Sequence, residues 1–225
     1  MSEAIKILDH GYVRLVDHMG SDLSIVRSAR VSYNAEWRTG EDEGKDAKLI
    51  NYLVKNRHTT PFESVSFTFE VKAPIFVFRQ WHRHRTWAYN EVSARYTELP
   101  EEYYIPAIDI ITEQSTSNKQ MRTDVQNPHA QEIQDIMRAQ NNGAFKAYLR
   151  LLELGCPREL ARSVLPVATY SKMFGTVSLL NLFRFLTLRT HTHAQYEIRV
   201  YAVAMLELIE PIVPHAVAAF KEHGV

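Results

Sequence analysis

The sequence predicts an α+β fold: one helix-rich domain with a small, mainly antiparallel sheet. Three observations carry that prediction. Val65, Phe67, Phe69 and Val71 alternate with Ser66, Thr68, Glu70 and Lys72, the period-two pattern of a strand with one buried face. Ile133, Ile136, Met137, Phe145, Tyr148, Leu149 and Leu152 recur at helical spacing within 130–154. The chain has 225 residues, 45% hydrophobic and 23% charged, which suits one globular domain. It shows no repeat, no low-complexity stretch and no linker.

Taken in order, residues 5–17 read as a short hairpin with Gly11 near its turn. Ser21 or Asp22 caps a helix through Ile25, Val26 and Ala29, with Ser32 at its end. The polar stretch 37–45 is expected as a loop, followed by an amphipathic helix through Leu49, Ile50, Leu53 and Val54 to about Arg57. His58-Thr59-Thr60-Pro61-Phe62-Glu63 has the signature of a helix start, with Thr60 as N-cap and Glu63 as its capping-box partner. Such a start also presents backbone N–H groups to an anion. The strand at 65–71 breaks at Ala73-Pro74, and Ile75–Trp81 continues as a helix delivering Gln80 and Arg83.

Beyond Tyr96, residues 98–106 read as loop, and 112–128 as a mobile polar excursion with no periodicity. The long helix at 130–154 ends at Gly155, and Pro157 opens a short helix bearing Arg158 and Arg162. A strand at 170–177, a helix at 179–188, a further apolar helix at 194–209 and a short C-terminal helix after Pro214 complete the chain. Residues 200–209 are too uniformly apolar for a broad solvated face and should be buried in the core or against another subunit.

Lys plus Arg equals Asp plus Glu at 26 each, so no net field favours a nucleic-acid polymer or a membrane surface. No apolar run approaches the ~18 residues of a membrane span. The single cysteine cannot form an internal disulfide, and residues 1–20 lack a signal peptide's apolar core; a cytoplasmic protein is expected.

Against that neutral background, Trp81–Arg95 (WHRHRTWAYNEVSAR) concentrates Arg83, His84, Arg85 and Arg95 with Asn90, Glu91, Ser93 and three aromatics. Arginine forks suit phosphate or carboxylate, and Trp81, Trp87 and Tyr89 offer flat faces to a base or a fused ring. A solvated basic loop is the plain alternative. His82-x-His84 and His191-x-His193 invite a metal site, as in a metal-dependent nucleotide hydrolase, but Arg83 and Arg85 would repel a cation and no carboxylate accompanies either pair. Cys156, between Gly155 and Pro157, reads as a small turn residue rather than a nucleophile. Ser93 lacks a Gly-x-Ser-x-Gly turn and reads as a hydrogen-bonding residue. Arg184 and Arg189 interrupt an apolar run about 140° apart on an ideal helix, so each should meet a carboxylate or an anionic ligand.

Arg83-His84-Arg85, seven further residues, then Ser93-Ala94-Arg95-Tyr96 resembles the signature of the flavin-dependent thymidylate synthases. The likeness extends to His58-x-Thr60-Pro61-Phe62-Glu63, to Ala73-Pro74 before Arg79-Gln80-Trp81, and to Pro157-Arg158-Glu159 before Ala161-Arg162. It continues in Leu188-Arg189 with His193-Ala194-Gln195 and Glu197-Ile198. The resemblance implies reductive methylation of dUMP to dTMP by 5,10-methylenetetrahydrofolate, with FAD as redox cofactor and NADPH as reductant. It also implies a homotetramer with active sites between subunits. By the same resemblance Gln80, Arg83, Glu91, Ser93, Arg95, Arg162 and Arg189 match dUMP contacts, with Arg189 the catalytic cation against the uracil ring. Thr60, Arg83, His84, Arg85 and Glu91 match FAD contacts, followed by Ser32, Ser178, Arg184 and His193. The chain departs from the family at Ser178 and Arg184, where relatives often carry Asn, and at Leu180, where they often carry a basic residue; Arg184 is expected to stand in for that charge.

Overall fold

The computed structural model describes residues 3–225. Strands β1 (Ile5–Ile7) and β2 (Gly11–Met19) form the expected hairpin, and the tight reversal is borne by Leu8 at φ 57°. Gly11 opens β2 instead of making the turn. A Cβ there would collide with the Tyr201 hydroxyl oxygen, so glycine admits that buried tyrosine. Helix α1 (Asp22–Val31) starts from the Ser21 cap, and α2 (Glu43–Lys55) begins inside the expected loop because Asp42 accepts from the Lys45 N–H.

Thr60–Ser64 is a 3₁₀ turn, not the start of an α-helix, and the Thr60 cap does not form. The chain passes directly from Ser64 into the strand ladder, leaving no length for further turns. Strand β3 (Ser66–Pro74) runs through Ala73-Pro74, and Pro74 then caps α3 (Ile75–Trp81). The first N–H groups of α3 bond to Thr169 and Val167 carbonyls, which ties this helix to the strand entering from the other side.

A strand the periodicity did not announce, β4 (Ala88–Glu91), lies within the arginine-rich stretch. Four residues are too few to show an alternation. Residues 112–126 form a two-stranded hairpin, β5 (Thr112–Gln114) and β6 (Arg122–Gln126), instead of a structureless excursion. Side-chain bonds from Gln114 to the Ser115, Lys119 and Met121 carbonyls hold it where apolar burial does not.

Helix α4 (Ala130–Glu153) leads to α5 (Arg158–Ala161), strand β7 (Tyr170–Ser178), and helices α6 (Leu179–Arg189), α7 (Tyr196–Ile209) and α8 (Pro214–His223). The main sheet has the order β1-β2-β3-β7-β4, with every neighbouring pair antiparallel. Its apolar face, with Val13, Phe67, Phe69, Val71 and Met173, joins Ile25, Ile50, Phe183, Met205 and Val217 from the helices in one core. Phe145, Tyr148 and Ala161 make a small second cluster. The 200–209 run splits its allegiance. Tyr201, Ala202, Ala204, Met205 and Ile209 are buried, while Val203 remains exposed. No helix among the described residues is long and apolar enough to cross a membrane.

Candidate functional site

Helix α3 positions the arginine-rich stretch, and Trp81 anchors α3. Trp81 is fully buried, stacked on Phe185 at 4.9 Å and met edge-on by Trp87 and Tyr201. Trp87 is buried as well, and Gly175 makes room for it: a Cβ there would lie 3.1 Å from the indole. Both tryptophans therefore hold the fold and offer no face to a ligand, which corrects the expectation of stacking platforms. Val77, Phe78 and Trp81, spaced i, i+1, i+4, carried the signal of a core stripe. Tyr89 is half-buried, and its hydroxyl donates to the Trp81 and His84 carbonyls, clamping the turn between α3 and β4.

The predicted ligand residues fall into two groups. On one side of α3, Arg189 from the end of α6 reaches Gln80 and His84. Its Nε donates to His84 Nε2 at 3.1 Å, and its terminal nitrogens lie 3.3 Å from the Gln80 carbonyl oxygen and 3.5 Å from Gln80 Oε1. Accepting that bond places the imidazole proton on Nδ1 and keeps the ring neutral. Burial, reinforced by the charge of Arg189, drives the His84 pKa down to about 4. Burial also lowers that of Arg189, which meets no carboxylate among the described residues. A half-desolvated guanidinium beside a neutral imidazole can stabilise an anion that forms next to it.

The second group lies across α3. Ile75, Phe78, Arg79 and His82 form one stripe of the helix, from which Gln80 diverges by well over 90°. That stripe and Glu91, Ser93, Glu159 and Arg162 line a cleft of about 660 Å³. At its rim Arg95 lies 3.5 Å from Glu159, an exposed pair of little energetic weight. Ser93 Oγ accepts from the Arg95 N–H, a local turn bond with no general base attached. Arg79, His82 and Glu159 belong to this cleft, and the sequence placed none of them among the ligand contacts; for Arg79 and His82 the spacing along α3 with Ile75 and Phe78 was the available signal, while Glu159 comes from α5.

Arg83 and Arg85 are exposed, with no side-chain hydrogen bond or ion pair among the described residues. The remaining candidates are scattered. Ser32 caps the end of α1, and Thr60 is exposed on its 3₁₀ turn. The Ser178 hydroxyl caps α6 by accepting from Asn181, whose amide oxygen accepts from Arg184 at 3.1 Å. Leu180 is in the core, while Arg184 faces solvent three residues from Asn181, so the two positions open onto different surroundings. His193 is exposed, its ring 4.6 Å from that of His191. The two His-x-His pairs do not converge: His82 stacks on Phe78, while His84 faces Arg189. Among the described residues no group of three or more His, Cys, Asp or Glu could hold a metal ion.

Fold and site together define a class: an α+β protein whose functional surface carries guanidinium forks and a neutral imidazole, chemistry suited to planar and phosphorylated anions. Residues 14–215 match the family model described as thymidylate synthase complementing protein, and the chain belongs to that family. It is 47% identical over 225 residues to a flavin-dependent thymidylate synthase of Treponema denticola, covering 99% of this chain and 84% of that protein. A protein of the same name from Thermus thermophilus is 48% identical over 219 residues, covering 97% and 78%. Among solved structures, the UMP/dUMP methylase PolB from Streptomyces cacaoi, bound with 5-Br dUMP, superposes with a TM-score of 0.88 at 37% identity, covering 98% of each chain.

Proposed function

We propose that this chain is a flavin-dependent thymidylate synthase that converts dUMP to dTMP, with 5,10-methylenetetrahydrofolate as carbon donor and NADPH as reductant. The observation that supports this reading best is the half-buried Arg189, held at Gln80 and the neutral His84. A cation against the pyrimidine ring favours the ring anion and so raises the nucleophilicity of its C5. Arg83, Arg95 and Arg162, with Ser93, hold the nucleotide phosphate through charge-assisted bonds, and Gln80 and Glu91 orient the nucleoside. The chain needs no nucleophile of its own in this scheme. Cys156 packs against the small second cluster and is not among the residues lining the cleft, and Ser93 has no base.

FAD, when bound, supplies the redox chemistry. The residues present fit it: Arg83 and Arg85, two residues apart, are exposed guanidinium groups without partners of their own among the described residues, a donor type suited to a pyrophosphate. His84, Thr60 and Glu91 would complete the site, with Ser32, Ser178, Arg184 and His193 at its margins. We further infer a homotetramer with the active sites between subunits. Two features support it: the dUMP candidates divide across α3 into groups facing apart, and α4 exposes Ile136, Met137 and Leu149 from its apolar stripe. The decisive experiment is dTMP formation from dUMP by the flavin-loaded protein. UMP should be run in parallel, because PolB is a UMP/dUMP methylase. Absence of flavin uptake and of product from either nucleotide would overturn the reading.

A further inference from the structure

Behind Gln80 a line of hydrogen bonds runs away from the site to the 112–126 hairpin. Gln80 Nε2 donates to Gln195 Oε1, and Gln195 Nε2 donates to Glu197 Oε2 at 2.8 Å. Glu197 is buried, and both its oxygens accept from Arg122 at 2.7 Å, while Tyr104 donates to Oε1 at 3.2 Å. Arg122 is itself fixed by the Ile110 carbonyl at 2.9 Å and lies over the Tyr196 ring. A side-chain amide has a donor and an acceptor end and can sit either way round. Here the two ends of the line leave no choice. A guanidinium can only donate and a carboxylate can only accept, so each amide between them has one orientation that satisfies every bond.

We propose that Glu197, held by Arg122, is a positioning residue: through Gln195 it fixes the Gln80 amide so that its oxygen faces Arg189 and presents one polarity to the pyrimidine. This rests on the reading of Gln80 and Arg189 as the groups that meet the substrate ring. It also gives the polar hairpin a task, since β6 contributes the arginine at the far end of the line.

The test uses the flavin-loaded, full-length protein. Gln195 is exposed, so Gln195→Met breaks the line while leaving both bonds of Arg122 to Glu197 in place. We expect kcat for dTMP to fall by about tenfold and the calorimetric affinity for dUMP by a few-fold, with thermal stability unchanged. In a Gln80→Met background the same substitution should change neither quantity further. The exchange Gln195→Glu with Glu197→Gln keeps an acceptor opposite Gln80 Nε2 and should recover most of the loss. Native kcat and dUMP affinity in Gln195→Met would overturn the proposal, as would losses that add to those of Gln80→Met. If the unaltered protein makes no dTMP and binds no dUMP, it is the reading of Gln80 and Arg189 that fails.

Discussion

Arg189 and His84 form the pair whose chemistry is most directly testable. In the proposed scheme Arg189→Ala removes the cation at the pyrimidine but leaves Arg83, Arg95 and Arg162 for the phosphate. Losing one preorganised charge contact of this kind costs on the order of 3 kcal/mol, so dTMP formation at saturating dUMP should fall about a hundredfold while flavin content holds. Cys156→Ala, measured beside it, should turn over at near the native rate; a large loss there with normal flavin would implicate the thiol. His84 sets a pH dependence. Above pH 6.5 the ring is neutral in both folded and unfolded chains. Between about 6.5 and 4 the unfolded chain takes up a proton that the folded chain refuses, so stability is lost as pH falls through that window. Because the ring is only half-buried and partly screened by solvent, the loss is reduced to on the order of 2 kcal/mol. Urea midpoints from pH 4 to 7 should drop less steeply in His84→Gln, which keeps a side-chain acceptor; parallel curves would remove His84 from the account.

At the scale of elements, α3 does two jobs with different faces. Val77, Phe78 and Trp81 bind it to the core, while Gln80 faces Arg189 and Arg79 and His82 face the cleft on the other side. Trp81→Ala should therefore act on folding first, costing about 3–5 kcal/mol of unfolding free energy. Chemical denaturation measures it, and a variant of native stability that only lost flavin would restore the stacking role. The β5–β6 hairpin is a polar element held by amide-to-carbonyl bonds and by Arg122 on Glu197. Its contribution is to fasten the start of α7, where Gln195 and Glu197 sit, against Gln80.

For the whole molecule the exposed side chains are informative. Ile136 and Met137 on α4, Leu160 on α5, Leu188 on α6 and Val203 on α7 leave apolar area in water on a single chain. Light scattering should return a tetramer, and dilution to monomers should abolish turnover if sites lie between subunits. A fully active monomer would refute that assembly.

The sequence by itself determined the fold class and most element positions, because alternation in β3, the cap at Ser21 before α1, Gly155 at the end of α4 and the apolar run of α6 are local signals. It also singled out Arg83, Arg85, Arg95 and Arg189, since arginines clustered on a neutral chain or set in an apolar run need an anion. Glu197 showed the same signal, an acid at the head of an apolar helix, but its partner Arg122 lies 75 residues away and spacing cannot pair them. Only the tertiary structure decided what the aromatics do. Trp81 and Trp87 read as flat faces for a ligand or as part of a solvated loop, and only Phe185, Tyr201 and Gly175, distant in the chain, show them to be core. It also decided that the dUMP candidates divide across α3 and that Thr60 makes no cap. These are outcomes of long-range packing, where burial and the direction of each side chain depend on residues that no local pattern brings together.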